Sequence, residues 1–236
     1  MNIILIEKGE SFFPFSDERA LHIKKILHLK EGESFRAGII NGDEGKATIE
    51  SITEDGISFN FMPISDSSAL YPITLIVGQT RPICMKRILR EAVSLGVERI
   101  FLPITELGEK SYQGSSLYTS GEYKNILLDG AMQSGFTGVS ETRLFSSVNE
   151  AIKETEKVDV KLLLDNQIGA KKLSKMDLKG KSVVLAIGPE RGWSNKEREL
   201  FISSNYEPTL IGARILRTET AVPSSVMLAL SRMDLI

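Results

Sequence analysis

Three polar loops in the C-terminal half of the chain hold the residues best suited to bind a ligand. They occupy positions 165–167, 188–193 and 212–221, and each follows an apolar run typical of a buried strand. In parallel sheets, ligands bind at the loops after the carboxyl ends of the strands. Gly188 and Gly192 permit a ligand to approach the backbone closely, although glycines alone are equally typical of an ordinary strand-to-helix turn.

The loop at 212–221 is more polar than a connection between a strand and a helix requires. It contains Arg217, Glu219 and Thr220 just before an apolar helix predicted at 222–230. Backbone N–H groups at a helix N-terminus favour anionic and polar ligands, so this loop predicts one wall of a polar pocket. The alternative is a local ion pair between Arg217 and Glu219.

Several common nucleotide and metal motifs are absent from the sequence. Residues 180–182 look like the end of a phosphate-binding loop, but Lys175 stands where that motif needs glycine. No G-x-G-x-x-G motif opens a strand–helix unit, and no serine-centred nucleophile elbow is present. Because His22, His28 and Cys84 are the only histidines and the only cysteine, we expect no metal site.

The elements that must position these loops are alternating strands and helices. Buried-type strands are predicted at 72–78, 99–103, 160–165, 182–187 and 207–211. Helical segments between many of them are predicted at 83–95, 122–133, 149–156 and 196–203. Ser194 and Glu197 have the spacing of a capping box at the start of the last of these helices. This alternation predicts an α/β domain whose parallel sheet is covered on both faces.

The N-terminal part of the chain has a different pattern. A helix is predicted from Ser16 or Asp17 to about residues 30–32, where Gly32 can supply the positive φ of a helix end. Strand-like runs follow at 34–40, 46–53 and 57–62, and the tight polar turns between them imply antiparallel neighbours. This pattern predicts a small β-barrel.

A segment with linker composition separates the two patterns. It covers residues 63–68 and is rich in serine, proline and aspartate. We therefore predict one domain at residues 1–68 and a second at residues 69–236.

Charge and composition restrict the function classes. The net charge of −2 argues against binding nucleic acid by bulk attraction, since residues 1–70 carry −5 and the remainder carries +3. An RNA site must rest on a local cluster, for which we propose Arg81, Lys86, Arg87 and Arg90; a solvated helix face is the alternative reading. No secretion signal or membrane span is expected, and a single cysteine suits a reducing cytoplasm.

Two motifs in the C-terminal half carry a family resemblance. Residues 187–194 read IGPERGWS and residues 210–221 read LIGARILRTETA. They resemble the RsmE family of the SPOUT methyltransferase superfamily, whose signatures read approximately IGPEGG-x-S and LG-x-RILRTETA. Further matches lie at 22–32, 95–97 and 133–135, so the resemblance covers most of the chain.

The resemblance implies a fold, a cofactor and a reaction. It implies an N-terminal PUA-like RNA-binding β-barrel and a C-terminal SPOUT domain whose chain forms a trefoil knot, an exception to the rule that chains avoid knots. Family members are homodimers that use S-adenosylmethionine to methylate N3 of a uridine in 16S ribosomal RNA of the small ribosomal subunit. Carried over by position, the cofactor contacts are Leu164, Gly188, Glu190, Gly192, Ile211, Gly212, Ile215, Leu216, Thr218, Thr220 and Ala221.

The departures from the family pattern lie on the expected RNA side. Phe136 stands where the family has arginine, Ser140 replaces a proline, and His28 replaces the arginine of Val-Leu-Arg. Lys24 and Lys25 are expected to contact RNA from the barrel. The cofactor motifs are nearly complete.

The implied reaction suggests roles for three residues. Uridine N3 must lose a proton, and Glu190 and Glu219 are the candidate acceptors. Arg217 can stabilise charge that develops on the uracil oxygens. Two alternatives stay open: a diverged paralogue that binds RNA without catalysis, and a SPOUT methyltransferase that acts on another RNA.

Overall fold

A computed structural model describes residues 1–66, 69–168 and 170–236, and these group into two units. The first unit contains residues 1–69 and 128–139, and the second contains residues 70–127 and 140–236. Residues 67 and 68, which belong to the predicted linker and its domain boundary, lie outside the described residues.

The first unit is a curled sheet of five strands with one helix. Its elements are β1 (Ile4–Ile6), β2 (Phe12–Pro14), α1 (Glu18–Lys25), β3 (Ser34–Ile39), β4 (Glu44–Ile52) and β5 (Gly56–Ser65). The strand order is β1-β3-β4-β5-β2, in which only the β1–β3 pair is parallel. The rings of Phe13, Phe35 and Phe59 form its core, with Phe59 at 4.6 and 5.8 Å from the other two ring centroids.

Helix α1 begins as predicted but ends earlier. The Asp17 carboxylate accepts a hydrogen bond from the backbone N–H of Arg19 at 2.8 Å, so Asp17 is the N-cap. The predicted end near residues 30–32 is wrong, because the helix stops at Lys25. The chain reverses at His28, whose φ of 53° is left-handed, and Leu29 N then bonds back to Ile23 O at 3.3 Å.

Residues 128–139 join the first unit through hydrogen bonds to β3 and the turn after it. Arg36 Nη2 donates to Gly135 O at 2.8 Å. Asn41 then bonds twice to the same segment: its N–H donates to Thr137 O at 2.9 Å, and its Oδ1 accepts from Val139 N at 2.7 Å. These bonds hold the segment that contains the exposed Phe136.

The second unit is built on a parallel sheet of seven strands. These are β6 (Tyr71–Val77), β7 (Val97–Pro103), β8 (Glu141–Phe145), β9 (Val160–Leu164), β10 (Lys171–Lys172), β11 (Val183–Ile187) and β12 (Glu207–Leu210). The strand order is β10-β12-β9-β11-β6-β7-β8, and every pair between neighbours is parallel. The last strand thus lies between β9 and β10, which both precede it in the chain.

Helices cover both faces of this sheet. The helices after α1 are α2 (Pro82–Ser94), α3 (Ser116–Thr119), α4 (Glu122–Ser134), α5 (Val148–Lys153), α6 (Asn195–Ser203) and α7 (Thr218–Met233), and two short 3-10 helices lie at Lys110–Gly114 and Leu173–Lys175. Helix α4 begins in the second unit and ends in the first. Ile76 and Ala186 join a core cluster with α5 and α6. Their neighbours Leu75 and Leu185 point to the opposite face and are also fully buried. The predicted parallel sheet with two covered faces is confirmed.

No helix in the described ranges is both long and apolar enough to cross a bilayer.

Candidate active site

A cavity of about 860 Å³ lies at the carboxyl ends of β9, β11 and β12. All three polar loops singled out in the sequence line it, although Thr218–Ala221 form the first turn of α7 and are not part of the preceding loop. The volume is in the usual range for a pocket that encloses a small organic ligand. The second unit alone supplies every residue of its wall.

Ten of the eleven residues expected to contact the cofactor line this cavity. They are Leu164, Gly188, Glu190, Gly192, Ile211, Gly212, Ile215, Leu216, Thr218 and Ala221. The exception is Thr220, which is exposed on the first turn of α7. Thr218 and Ala221 lie three residues apart and share the buried face of that helix, so Thr220 between them points elsewhere.

The residues proposed for catalysis also line the cavity. Of the residues proposed for RNA binding, Arg81 alone does so. Arg217, Glu190 and Glu219 all line the wall, together with Arg81. The other three cations of the α2 cluster lie farther along that helix, and Lys86 forms an ion pair with Glu122. In the first unit, Lys24 and Lys25 form the end of α1, and Lys24 Nζ lies 4.2 Å from the centre of the Phe15 ring.

The loop at 188–193 is shaped by its two glycines. A Cβ atom on Gly188 would lie 2.9 Å from the backbone of Gly192, which is too close for any other residue. Gly192 has a left-handed φ of 70°, and its N–H donates to Pro189 O at 2.8 Å. Thr218 Oγ1 donates to Gly188 O at 3.2 Å and ties this loop to α7. The loop backbone is therefore exposed to the cavity in a rigid turn.

Glu190 is engaged by the N-terminus of α2. Its Oε1 accepts a hydrogen bond from Arg81 N at 2.9 Å, and Arg81 is the N-cap of that helix. A carboxylate here is favoured by the free N–H groups and by the positive end of the helix dipole. The Arg81 side chain turns to Tyr112, and hydrogen bonding with the Tyr112 hydroxyl raises the pKa of the guanidinium.

Glu219 meets a different partner in the first turn of α7. The thiol of Cys84, in the first turn of α2, interacts with the Glu219 carboxylate. Burial raises the pKa of this thiol above its usual value, and the charge of Glu219 raises it further. A thiol is a weak donor, so the Glu219 carboxylate retains acceptor sites for further hydrogen bonds.

Residues in the first turn of α6 form hydrogen bonds with the segment after β7 and with the loop after β9. The predicted capping box is present, with Ser194 Oγ accepting from Glu197 N and Glu197 Oε2 accepting from Ser194 N. The second oxygen of the buried Glu197 accepts from Glu106 N, at 2.8 Å, in the segment after β7. The next residue, Arg198, donates from Nε to Asp165 Oδ2 at 2.8 Å, in the loop after β9.

Several wall residues were not among the predicted site residues, and Cys84, Tyr112, Trp193 and Arg198 are examples. Arg198 had a detectable signal, because it lies one turn after Ser194 and one turn before the apolar Phe201, on the side of α6 that should be buried. The indole of Trp193 packs on Phe201, with ring centroids 4.8 Å apart, and it is almost fully buried. Nothing in the local pattern indicates that Cys84 and Tyr112 approach the loops after β11 and β12.

In the described part of the chain, no group of three or more histidine, cysteine, aspartate or glutamate side chains is arranged to hold a metal ion.

The fold and the cavity correspond to two known domain families. Residues 66–230 match the family described as the RNA methyltransferase domain, and residues 15–62 match the RNA methyltransferase PUA domain. The parallel sheet, the cavity at its carboxyl edge and these matches define the class: an RNA methyltransferase domain accompanied by a PUA domain.

Individual relatives narrow the class further. The chain is 38% identical to ribosomal RNA small subunit methyltransferase E of Treponema pallidum, over 98% of this chain and 91% of that protein. It is 30% identical to ribosomal RNA small subunit methyltransferase E 1 of Borreliella burgdorferi, over 99% of both. The chain therefore belongs to the ribosomal RNA small subunit methyltransferase E (RsmE) family, as the sequence motifs predicted.

A solved structure has the same fold. Ribosomal RNA small subunit methyltransferase E of Neisseria gonorrhoeae, crystallised with S-adenosylmethionine, superposes with a TM-score of 0.83 at 20% identity, over 98% of this chain and 97% of that one. The predicted fold class is confirmed to this extent: an α/β methyltransferase domain on a parallel sheet, with a smaller PUA-like domain.

Proposed function

We propose that this protein transfers the methyl group of S-adenosylmethionine to N3 of a uridine in 16S ribosomal RNA. The observation that carries the proposal is the cavity itself, into which the fold brings ten of the eleven cofactor residues implied by the family motifs. Two relatives with at least 30% identity are named as small-subunit ribosomal RNA methyltransferases, which supports the same substrate.

The cavity residues suit this cofactor in size and chemistry. Gly188 and Gly192 expose backbone to the ligand, and Leu164, Ile211 and Leu216 offer apolar surface to an adenine ring. The other proposed contacts are Glu190, Gly212, Ile215, Thr218 and Ala221. When bound, the cofactor supplies an electrophilic methyl group, so the protein mainly has to align the nucleophile behind it.

The two glutamates are assigned different roles in this proposal. Glu219 accepts the N3 proton, because it lines the cavity and its interaction with the Cys84 thiol is a weak one. Glu190 holds the N-terminus of α2 through Arg81 N and so positions that helix beside the cavity. Arg217, exposed at the start of α7, stabilises charge on the uracil oxygens as the N–H bond breaks.

The proposal extends to the partners of the protein. The target base must be unpaired or flipped out, because N3 lies on its base-pairing edge. Residues 1–68, as a PUA-like domain, hold RNA through Lys24 and Lys25, while residues 69–236 form the methyltransferase domain. The α2 cations Arg81, Lys86, Arg87 and Arg90 contact phosphates of the small ribosomal subunit. The protein acts as a cytoplasmic homodimer.

One observation favours a second candidate, an RNA-binding protein without catalysis. Phe136 replaces a family arginine, and its side chain is half exposed on a segment that is firmly hydrogen-bonded within the first unit. A protein that had lost catalysis would have no need of the cofactor-binding motifs. These motifs are nearly complete in this chain, which favours the enzyme.

The decisive experiment offers labelled S-adenosylmethionine to small ribosomal subunits from a strain that lacks this protein. We expect one uridine to become N3-methylated, which mass spectrometry and a reverse-transcription stop would both locate. Calorimetry with S-adenosylhomocysteine separates the candidates: an RNA-binding module without catalysis has no reason to bind it. Methylation of a different RNA would support the methyltransferase activity and contradict the proposed 16S ribosomal RNA substrate.

Gly212→Leu tests whether the cavity is the cofactor site. No heavy atom lies within 4 Å of a Cβ added at Gly212, so the variant should fold, but its side chain would occupy the cavity. We expect S-adenosylhomocysteine to bind roughly a hundredfold more weakly, since overpacking of this kind costs up to about 3 kcal/mol. The matched control is Gly114→Leu, which has equal space and does not line the cavity. Normal binding by Gly212→Leu would mean that the site lies elsewhere.

A further inference from the structure

A buried ion pair lies in the wall of the cavity. Arg198 Nε donates to Asp165 Oδ2 at 2.8 Å, and the two side chains are only 10% and 3% exposed. Asp165 directly follows β9, and Arg198 lies at the end of the first turn of α6, which follows the loop at 188–193. The pair therefore joins two loops that are 33 residues apart in the chain.

Each partner also shapes its own loop. Asp165 Oδ1 accepts from Gln167 N at 2.7 Å, which closes the turn at 165–167. Arg198 Nη1 donates to Asn195 Oδ1 at 3.0 Å, and Nη2 lies 3.8 Å from the position that a Cβ on Gly192 would take. One carboxylate and one guanidinium thus set the shape of both loops at once.

Stability alone does not explain an ion pair in this place. Removing two charges from water costs about as much as their attraction returns, so apolar side chains of the same size often stabilise a fold equally well or better. An apolar pair does not fix the relative orientation of its two side chains. An ion pair does, because a planar guanidinium and a carboxylate hold each other in one geometry. A cavity wall that must be shaped before its ligand arrives benefits from this property.

We propose that Asp165 and Arg198 are positioning residues for the cofactor, which set the loops at 165–167 and 188–193 in the binding shape before the cofactor enters. This inference rests on the proposed function, since the occupant is S-adenosylmethionine. Loss of the pair weakens cofactor binding and raises the KM for S-adenosylmethionine. It leaves kcat at saturating cofactor and the affinity for RNA close to the parent values.

The test is a double-mutant cycle read by calorimetry with S-adenosylhomocysteine. Asp165→Asn and Arg198→Gln should each raise Kd about tenfold, and the double variant should lose little more than either single one, because the two residues act as a unit. Arg143→Gln is the matched control. It removes the Arg143–Glu154 ion pair on β8, at the opposite edge of the same sheet, and it should bind like the parent.

Two further variants keep the inference testable if neutral substitutions unfold the protein. Asp165→Glu and Arg198→Lys retain both charges but change the geometry. Each should fold and still raise the KM for S-adenosylmethionine, since lysine lacks the planar fork of arginine.

The outcomes separate this inference from the proposed function. If the parent protein does not bind S-adenosylhomocysteine, both fail. If the parent binds it and folded Arg198→Gln or Arg198→Lys binds equally well, only the positioning role is overturned. A fall in kcat with unchanged KM, or losses that multiply in the double variant, would also overturn it.

Discussion

At the scale of single residues, two glutamates in one cavity are distinguished by their partners. Glu190 accepts a hydrogen bond from the backbone N–H of Arg81, whereas Glu219 interacts with the thiol of Cys84. A backbone N–H at a helix N-terminus is a strong, fixed donor, and a thiol is a weak one. On this difference we base the proposal that the first carboxylate has a structural task and the second contacts the substrate.

Matched glutamine variants test this assignment. Glu219→Gln should lower kcat by about 10²- to 10⁴-fold, the usual contribution of a general base, with little change in affinity for S-adenosylhomocysteine. Its residual rate should rise with pH, because a larger fraction of uridine N3 is then already deprotonated. Glu190→Gln retains an oxygen that can accept from Arg81 N, so we expect a smaller loss of kcat. The assignment would be reversed if Glu190→Gln were the more damaged variant.

At the scale of secondary-structure elements, three helices begin at the cavity. The first turns of α2, α6 and α7 each contribute residues to its wall, and a carboxylate lies at each N-terminus: Glu190, Glu197 and Glu219. These acidic groups complement the positive ends of the helix dipoles. Short hydrogen bonds from the same turns hold the loops of the cavity wall. A small shift of one of these helices would therefore change the shape of the cavity.

Helix α2 also carries the cations proposed to contact RNA. We expect Arg81→Ala/Arg87→Ala to weaken binding to RNA of any sequence and to reduce the salt slope by about 0.7 for each lost phosphate contact. Lys86→Ala is the contrast, because Lys86 already pairs with Glu122 and should change the slope less. RNA affinity measured from low to high salt gives the slope for each variant. A double variant with the parent's salt dependence would make this side of α2 a solvated helix face.

At the scale of the whole molecule, the second unit leaves large apolar side chains exposed. Ile215 is 83% exposed, Ile83 is 59% exposed and Met227 is 44% exposed. Each lies in or next to a helix that begins at the cavity. We propose that the homodimer interface covers these residues, since protein–protein interfaces are among the surfaces that expose apolar side chains in an isolated chain.

Light scattering tests the dimer directly. At micromolar concentration we expect twice the 26.1 kDa mass of one chain. Met227→Lys on α7 should shift the protein toward the monomer, whereas Ile202→Lys on α6, at a similar 49% exposure, should not. A parent protein of about 26 kDa under these conditions would contradict the dimer.

The amino-acid sequence by itself determined the local elements of this protein and, through its motifs, its family. Apolar runs predicted β6, β9 and β11, and the capping box at Ser194 and Glu197 predicted the start of α6. These signals depend only on residues close together in the sequence, so they can be recognised without knowledge of the fold. Strands β2, β8 and β10 were not predicted, because they are short or lie at the ends of their sheets and lack a continuous apolar run.

Only the tertiary structure decided which distant segments meet. The placement of β12 between β9 and β10, the joining of residues 128–139 to the first unit, and the contact between Cys84 and Glu219 depend on segments far apart in the chain. Asp165 and Arg198 show the same limit, since the local sequence indicates a polar loop residue and a buried helix position but does not indicate that the two form a pair. Periodicity and capping describe interactions within a few residues, whereas these contacts arise when the whole sheet and its helices pack together.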